Sequence, residues 1–275
     1  MIKDVIVNLP LRAARDRTTA YAASLAGYFG AHITGIAFMY WPYFACVQMG
    51  AAEARFIEKQ DAAAKFAADA AVDRLSFEIR REGASWNAHQ IMVSEDEAPS
   101  RFAEIARAFD LAIVTQGEPN AATVDDLIVE TALFHCGHPI LVVPYVETAR
   151  FKLDRVAVLW DGSAQVTRAI AGAMPFLQRA RKIALVSIIG EGDLRTELNG
   201  ADMSTHLLRH GVKVEPVRLQ MASDITSTIL NYAAESAPDL VVMGGYGHSR
   251  FSELILGGAT RGMSQSMTLP TLMAH

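Results

Sequence analysis

Asp239-Leu240-Val241-Val242-Met243-Gly244-Gly245-Tyr246-Gly247 is the stretch on which the fold turns. Four apolar residues in a row, opened by an acid and closed by glycine, suit a strand buried on both faces of a parallel sheet. The same pattern stands earlier, as Asp110-Leu111-Ala112-Ile113-Val114. Working outward, Pro139-Ile140-Leu141-Val142-Val143 mirrors Pro270-Thr271-Leu272-Met273-Ala274, and Gly83-Ala84-Ser85-Trp86 mirrors Gly211-Val212-Lys213-Val214. A period this long means duplicated domains, not a solenoid.

Each half alternates apolar strand-like runs with helical patterns, the signature of a parallel α/β sheet. The first half predicts strands at Val5–Leu9, Ile33–Phe38, Ser85–Met92, Leu111–Thr115 and Ile140–Val143. The second predicts them at Val156–Trp160, Ile183–Ile188, Val212–Gln220, Leu240–Met243 and Thr271–Ala274. Helices are expected at Arg15–Tyr28 and Val166–Ala180, and the alanine-rich Ala51–Arg81 reads as one long helix. The seam falls in Val146–Leu153, which sets the expected domains at 1–147 and 148–275.

Composition narrows the function. With 275 residues, 51% hydrophobic and 20% charged, the chain has ample material for a core. A net charge of −5 leaves no basic footprint for nucleic acid or an anionic membrane. No apolar stretch approaches the roughly 20 residues a spanning helix needs. Met1-Ile2-Lys3-Asp4-Val5 enters a strand pattern at once, without the layout of a signal peptide, so the expected compartment is the cytoplasm. Cys46 and Cys136 are too few for a disulfide framework and read as small buried hydrophobes.

The glycines after Met243 carry the chemistry. Gly244 and Gly247 open a turn, nine residues follow, and Gly257 and Gly258 precede a helix-compatible run. Glycine lets a backbone approach a phosphate, and free N–H groups at a helix start point at it. This spacing resembles the nucleotide-binding signature of the universal stress protein family, Gly-x2-Gly-x9-Gly-Ser/Thr. Gly244, Gly247 and Gly257 match it; Gly258 stands where the family prefers Ser or Thr, and the Thr260 hydroxyl lies two residues on.

The resemblance covers essentially the whole chain as a tandem pair and is strongest in the second half. It implies two tandem Rossmann-like α/β domains, each a five-stranded parallel sheet in the order 3-2-1-4-5 with helices on both faces. Ligands in such sheets sit beyond the carboxyl ends of the strands, at the switch in strand order, which here lies between strands one and four. The glycine loop follows strand four. The implied ligand is an adenine nucleotide, ATP or AMP, with or without Mg²⁺.

Residue by residue, Leu159-Trp160-Asp161-Gly162-Ser163 resembles the family turn in which an aspartate meets the adenine. A carboxylate there can accept from the exocyclic amine, or Asp161 can help cap the following helix with Ser163 as N-cap. Ile188 is the nearest match to an aliphatic adenine contact and is equally compatible with plain core. Phosphate is expected on the backbone N–H groups of Gly257, Gly258 and Ala259 and the hydroxyls of Ser249 and Thr260; His248 and Arg250 either add charge or are solvated loop residues. In the first half Pro10 replaces Asp161, Glu118 would repel phosphate, and Asp126 and Leu127 stand where Gly257 and Gly258 stand, with Asp125 adjacent. That half reads as a degenerate, structural domain.

The family resemblance also implies that the two last strands, Pro139–Pro144 and Pro270–His275, pair within the chain as an intramolecular pseudo-dimer. A further homodimer would use the aromatic segment Tyr40–Phe44. His135-x2-His138 and His206-x3-His210 have metal-compatible spacing but no third ligand nearby in sequence, so no metal site is assigned. No nucleophile elbow, Walker lysine or catalytic carboxylate pair appears, and no catalytic residue is assigned. The leading reading is a stress-response protein that binds adenine nucleotide. The rivals are a slow ATP hydrolase or other nucleotide-using enzyme on the same fold, and an interaction protein that has lost the ligand.

Overall fold

The two acids that open the mirrored strands act alike in the folded chain. Asp110 Oδ2 accepts from the backbone N–H groups of Lys3 (2.7 Å) and Asp4 (3.0 Å), and Asp239 Oδ2 from those of Asp154 and Arg155, both at 2.9 Å. Each acid thereby ties the start of strand four to the start of strand one in its own half. The structure, a computed structural model, describes residues 1–11, 16–41, 51–117, 123–146, 150–189, 195–245 and 266–275.

The first half runs β1 (Asp4–Asn8), α1 (Thr18–Phe29), β2 (His32–Tyr40), α2 (Ala51–Glu82), β3 (Trp86–Val93), α3 (Ala98–Ala106), β4 (Leu111–Thr115), α4 (Val124–His135) and β5 (Ile140–Val143). The second runs β6 (Arg155–Leu159), α5 (Ala164–Leu177), β7 (Lys182–Ile189), α6 (Arg195–Arg209), β8 (Glu215–Gln220), α7 (Ile225–Ser236), β9 (Leu240–Gly244) and β10 (Thr271–Ala274). All ten strands form one sheet in the order β3-β2-β1-β4-β5-β10-β9-β6-β7-β8. Within each half the neighbours are parallel and the order is 3-2-1-4-5.

The halves join where the sequence suggested. β5 and β10 pair antiparallel, Thr271 opposite Val142 and Met273 opposite Ile140. Neither strand is left as an open edge, which a two-faced apolar strand requires. Apolar side chains from α1, α2, α5 and α6 pack into one continuous core on one face; α3, α4 and α7 cover the other. Phe151, on the connection between halves, locks the first face. Its ring lies 5.2 Å from Tyr28, 5.7 Å from Tyr21 and 6.1 Å from Phe176, and the Arg179 guanidinium sits 4.7 Å from the Phe29 ring centre.

Several element ends differ from the sequence expectation. β1 and β6 both begin and end one residue early, the same shift in each half. β8 begins at Glu215 rather than Val212, because the preceding residues finish α6. Gly211 adopts φ 76°, and the N–H groups of Gly211 and Val212 close back on the Leu208 and Leu207 carbonyls. This left-handed ending tucks Val212 into the core. α1 starts at Thr18, not Arg15, since Asp16 Oδ1 accepts from Thr19 N at 2.9 Å and so defines the first turn. α5 spans Ala164–Leu177 against the expected Val166–Ala180, opened by Ser163. Among the described residues no helix is long and apolar enough to cross a membrane.

Candidate functional site

The switch in strand order falls between β6 and β9 in the second half and between β1 and β4 in the first. In the second half three elements converge there. The turn after β6 is held by Asp161 Oδ1, which accepts from Ser163 N at 2.9 Å. Ser163 Oγ in turn accepts from Val166 N at 3.2 Å and starts α5 as its N-cap. The capping role considered for this turn is therefore real, and it fixes Asp161 at the carboxyl end of β6.

Gly244 ends β9 against the same helix start. A Cβ built on it would lie 2.7 Å from Val166 N and 2.9 Å from Gln165 Cβ. The strand end and the helix start approach too closely for any side chain, so glycine is a steric requirement here. Asp161 and Gly244 are thus brought together around Val166. Ile188 lies one strand away in β7, buried in an apolar cluster with Ile229 and Met243 and opposite Leu219 of β8. Gly247, Ser249, Gly257, Gly258, Ala259 and Thr260, with His248 and Arg250, lie outside the described residues.

The same end of the first half is filled by the protein's own groups. At Pro10, the counterpart of Asp161, the backbone carbonyl accepts from Arg74 of α2 at 2.5 Å. Arg74 Nε also donates to Asp16 Oδ2 at 2.8 Å, and Asp16, its side chain 2% exposed, accepts from the Thr19 hydroxyl at 2.7 Å. Thr115, the counterpart of Gly244, carries a hydroxyl 2.8 Å from that of Thr18. α4 begins with a capping box: Asp126 Oδ2 accepts from Thr123 N at 3.0 Å, and Thr123 Oγ1 accepts from Asp126 N at 3.4 Å. The Thr123 N–H at this helix start meets a resident carboxylate and the Asp126 N–H a resident hydroxyl, so both donors are taken by the protein's own groups. Glu118 lies outside the described residues.

Sequence reading missed Arg74 and Asp16. The available hint was an arginine within the alanine-rich stretch read as one long helix. It also passed over Trp160, whose indole Nε1 is buried and has no hydrogen-bond partner among the described residues. Tyr40 is half-buried, and burial first, then Asp125 and Glu95, push its phenol far above the usual tyrosine range. Trp41 beside it is exposed, whereas the rest of the aromatic segment, residues 42–44, lies outside the described residues. Cys136 is buried and its thiol is pushed up by burial; Cys46 lies outside the described residues. Among the described residues no three His, Cys, Asp or Glu side chains stand together as metal ligands.

Residues 178–275 match the universal stress protein family. No protein of curated function matches the chain by sequence. A universal stress protein from Archaeoglobus fulgidus DSM 4304 has a TM-score of 0.72 at 12% identity, over 98% of this chain and 97% of its own. A putative universal stress protein from Pseudomonas aeruginosa UCBPP-PA14 gives 0.58 at 14% identity, over 99% of this chain and 92% of its own. A functionally unknown protein from Pseudomonas aeruginosa PAO1 gives the same values. At such identities the likeness concerns the fold. Residues 178–275 thus match the universal stress protein family in sequence, and nearly the whole chain shares the fold of a solved universal stress protein.

Proposed function

We propose that the chain is a cytoplasmic stress-response protein that binds one adenine nucleotide, ATP or AMP, in residues 148–275, with residues 1–147 as a structural partner. The observation that carries this reading is the contrast between the two switch points. One is closed by Arg74, Asp16 and Asp126; the other has an aspartate and a glycine around a helix start, at the position where doubly wound sheets take ligands.

In this reading Asp161 accepts from the exocyclic amine of adenine and Ile188 packs against the base. Gly244 and Gly247 let the backbone approach. The N–H groups of Gly257, Gly258 and Ala259 and the hydroxyls of Ser249 and Thr260 take the phosphates, with Mg²⁺ carried by the nucleotide where it is present. Glycine in place of Ser/Thr at position 258 removes one hydrogen bond, about 0.5–1.5 kcal/mol, and leaves the backbone donors in place. Mass spectrometry of ligand released from the purified chain, followed by calorimetric titration, tests the reading. It requires one adenine nucleotide per chain. Two equivalent sites, or no binding of ATP or AMP, would overturn it.

A further inference from the structure

Three positions, one following β6, one in β7 and one in α6, depart from their first-half counterparts, all in one chemical direction. Backbone bonds fix the correspondence: Trp160 N donates to Val186 O at 2.8 Å, as Leu9 N does to Ile36 O at 2.8 Å. Trp160 therefore stands for Leu9, and Ser187 for Ala37. Counting back equally from Gly83 and Gly211, the left-handed glycines after α2 and α6, Gly200 stands for Val72. The first-half trio is hydrocarbon only, with Leu9 and Ala37 buried and Val72 packed on the core. The second-half trio offers an indole N–H, a hydroxyl and no side chain at all.

These three meet at one place. A Cβ built on Gly200 would lie 3.9 Å from both Ser187 Oγ and Trp160 Cδ1, the ring carbon bonded to Nε1. Trp160 is 6% exposed, and its Nε1 has no hydrogen-bond partner among the described residues. Buried donors are rarely left unpaired, because the lost hydration is not recovered. Here the buried donor, a hydroxyl and a bare glycine stand where the other half carries only hydrocarbon side chains, next to the turn of Asp161.

We propose that Trp160 Nε1 and the Ser187 hydroxyl form a donor pair for the ring-nitrogen acceptors of the bound base, with Gly200 keeping the space open. The inference rests on the adenine-nucleotide reading and adds a determinant of base identity. Asp161 addresses a donor on the base, and this pair addresses acceptors on it. A base lacking a ring nitrogen at the contact leaves the indole N–H unpaired in the complex and binds more weakly.

Calorimetric titration of AMP into the full chain and into Trp160→Phe, Ser187→Ala and Gly200→Val is the test, with thermal unfolding to confirm that each variant folds. Trp160→Phe and Ser187→Ala should each weaken binding at least threefold, and Gly200→Val, which refills the space as Val72 does, at least tenfold. Ligand should change the emission of Trp160, a change absent from Trp160→Phe although Trp41 and Trp86 remain. Should a variant fail to fold, the 1-, 3- and 7-deaza analogues of AMP remove the acceptor from the ligand instead. At least one should bind the unaltered chain threefold more weakly than AMP. If the chain binds AMP, yet folded variants and all three analogues bind within twofold, the space holds water only and the inference falls while the nucleotide reading stands. If the unaltered chain binds no adenine nucleotide, both fall.

Discussion

At the end of β1 the chain turns through Pro10, whose carbonyl is taken by Arg74; at the end of β6 it turns through Asp161, which folds back onto Ser163 N. At the end of β4 stands Thr115, hydrogen-bonded to Thr18; at the end of β9 stands Gly244, with no room for a Cβ. The backbones agree down to the acids that tie the strand starts, Asp110 and Asp239. These differences lie at the carboxyl-end rim of each half of the sheet, where side chains add nothing to strand pairing. The two halves agree in what holds the sheet together and differ where the second half is proposed to bind its ligand.

The largest expected effect tests whether the first-half rim is closed by structure. Arg74→Ala strands the buried Asp16 carboxylate, and should lower stability by about 2–3 kcal/mol in denaturant unfolding, less than for a fully buried pair because Arg74 is partly solvated. Nucleotide affinity should not change. If Arg74→Ala opens a second nucleotide site, the rim is a blocked site and not a lost one.

Gly244→Ala comes next. Its Cβ would meet backbone nitrogen, which cannot move aside as a side-chain tip can, so a loss of about 1–3 kcal/mol is expected together with weaker ligand binding. The matched change Thr115→Ala should remove one hydrogen bond, about 1 kcal/mol, and leave binding alone. Equal effects of the two substitutions would erase the distinction between the strand ends.

Gly257→Asp copies the acidic character of Asp126 into the second half. Nucleotide affinity should fall at least tenfold by calorimetry, a change of about 1.4 kcal/mol. Unchanged affinity in a folded variant would move the phosphates elsewhere.

The smallest effect concerns helix caps. α7 is capped by Asp224, which accepts from Ser227 N at 2.8 Å, whereas α3 begins at Glu97 with no side-chain cap. The Ser227 hydroxyl first, then its backbone N–H, hold the Asp224 carboxyl below the usual carboxylate range. A depressed folded value means that the cap stabilises above the unfolded value of about 3.9 and that this contribution fades as pH falls through the folded one. Asp224→Ala should lower the melting temperature slightly at neutral pH and flatten its decline below about pH 4.

Much of this architecture was legible before any coordinates. β4, β5 and β10 occupy their apolar runs because Asp110, Pro139 and Pro270 bracket them, and local punctuation of that kind survives folding. β8 was misjudged at its start because Gly211 can equally end a helix or precede a strand; only the bonds to Leu207 and Leu208 decide. The paired acid and glycine of the second-half rim were visible as a motif. The closure of the first was not, since Arg74, Asp16 and Pro10 come together only after α1 and α2 pack side by side. Gly244 was read for what it lets a ligand approach, yet its nearest neighbour is the backbone of α5.

The β5–β10 seam has a consequence for how the molecule responds to its own concentration. Two separate chains joined by such a seam come apart on dilution, because the pairing obeys mass action. Here both strands belong to one chain, so the local concentration of each for the other is set by the connection through Phe151 and stays constant. Dilution cannot separate the halves. Every molecule, scarce or abundant, carries both rims.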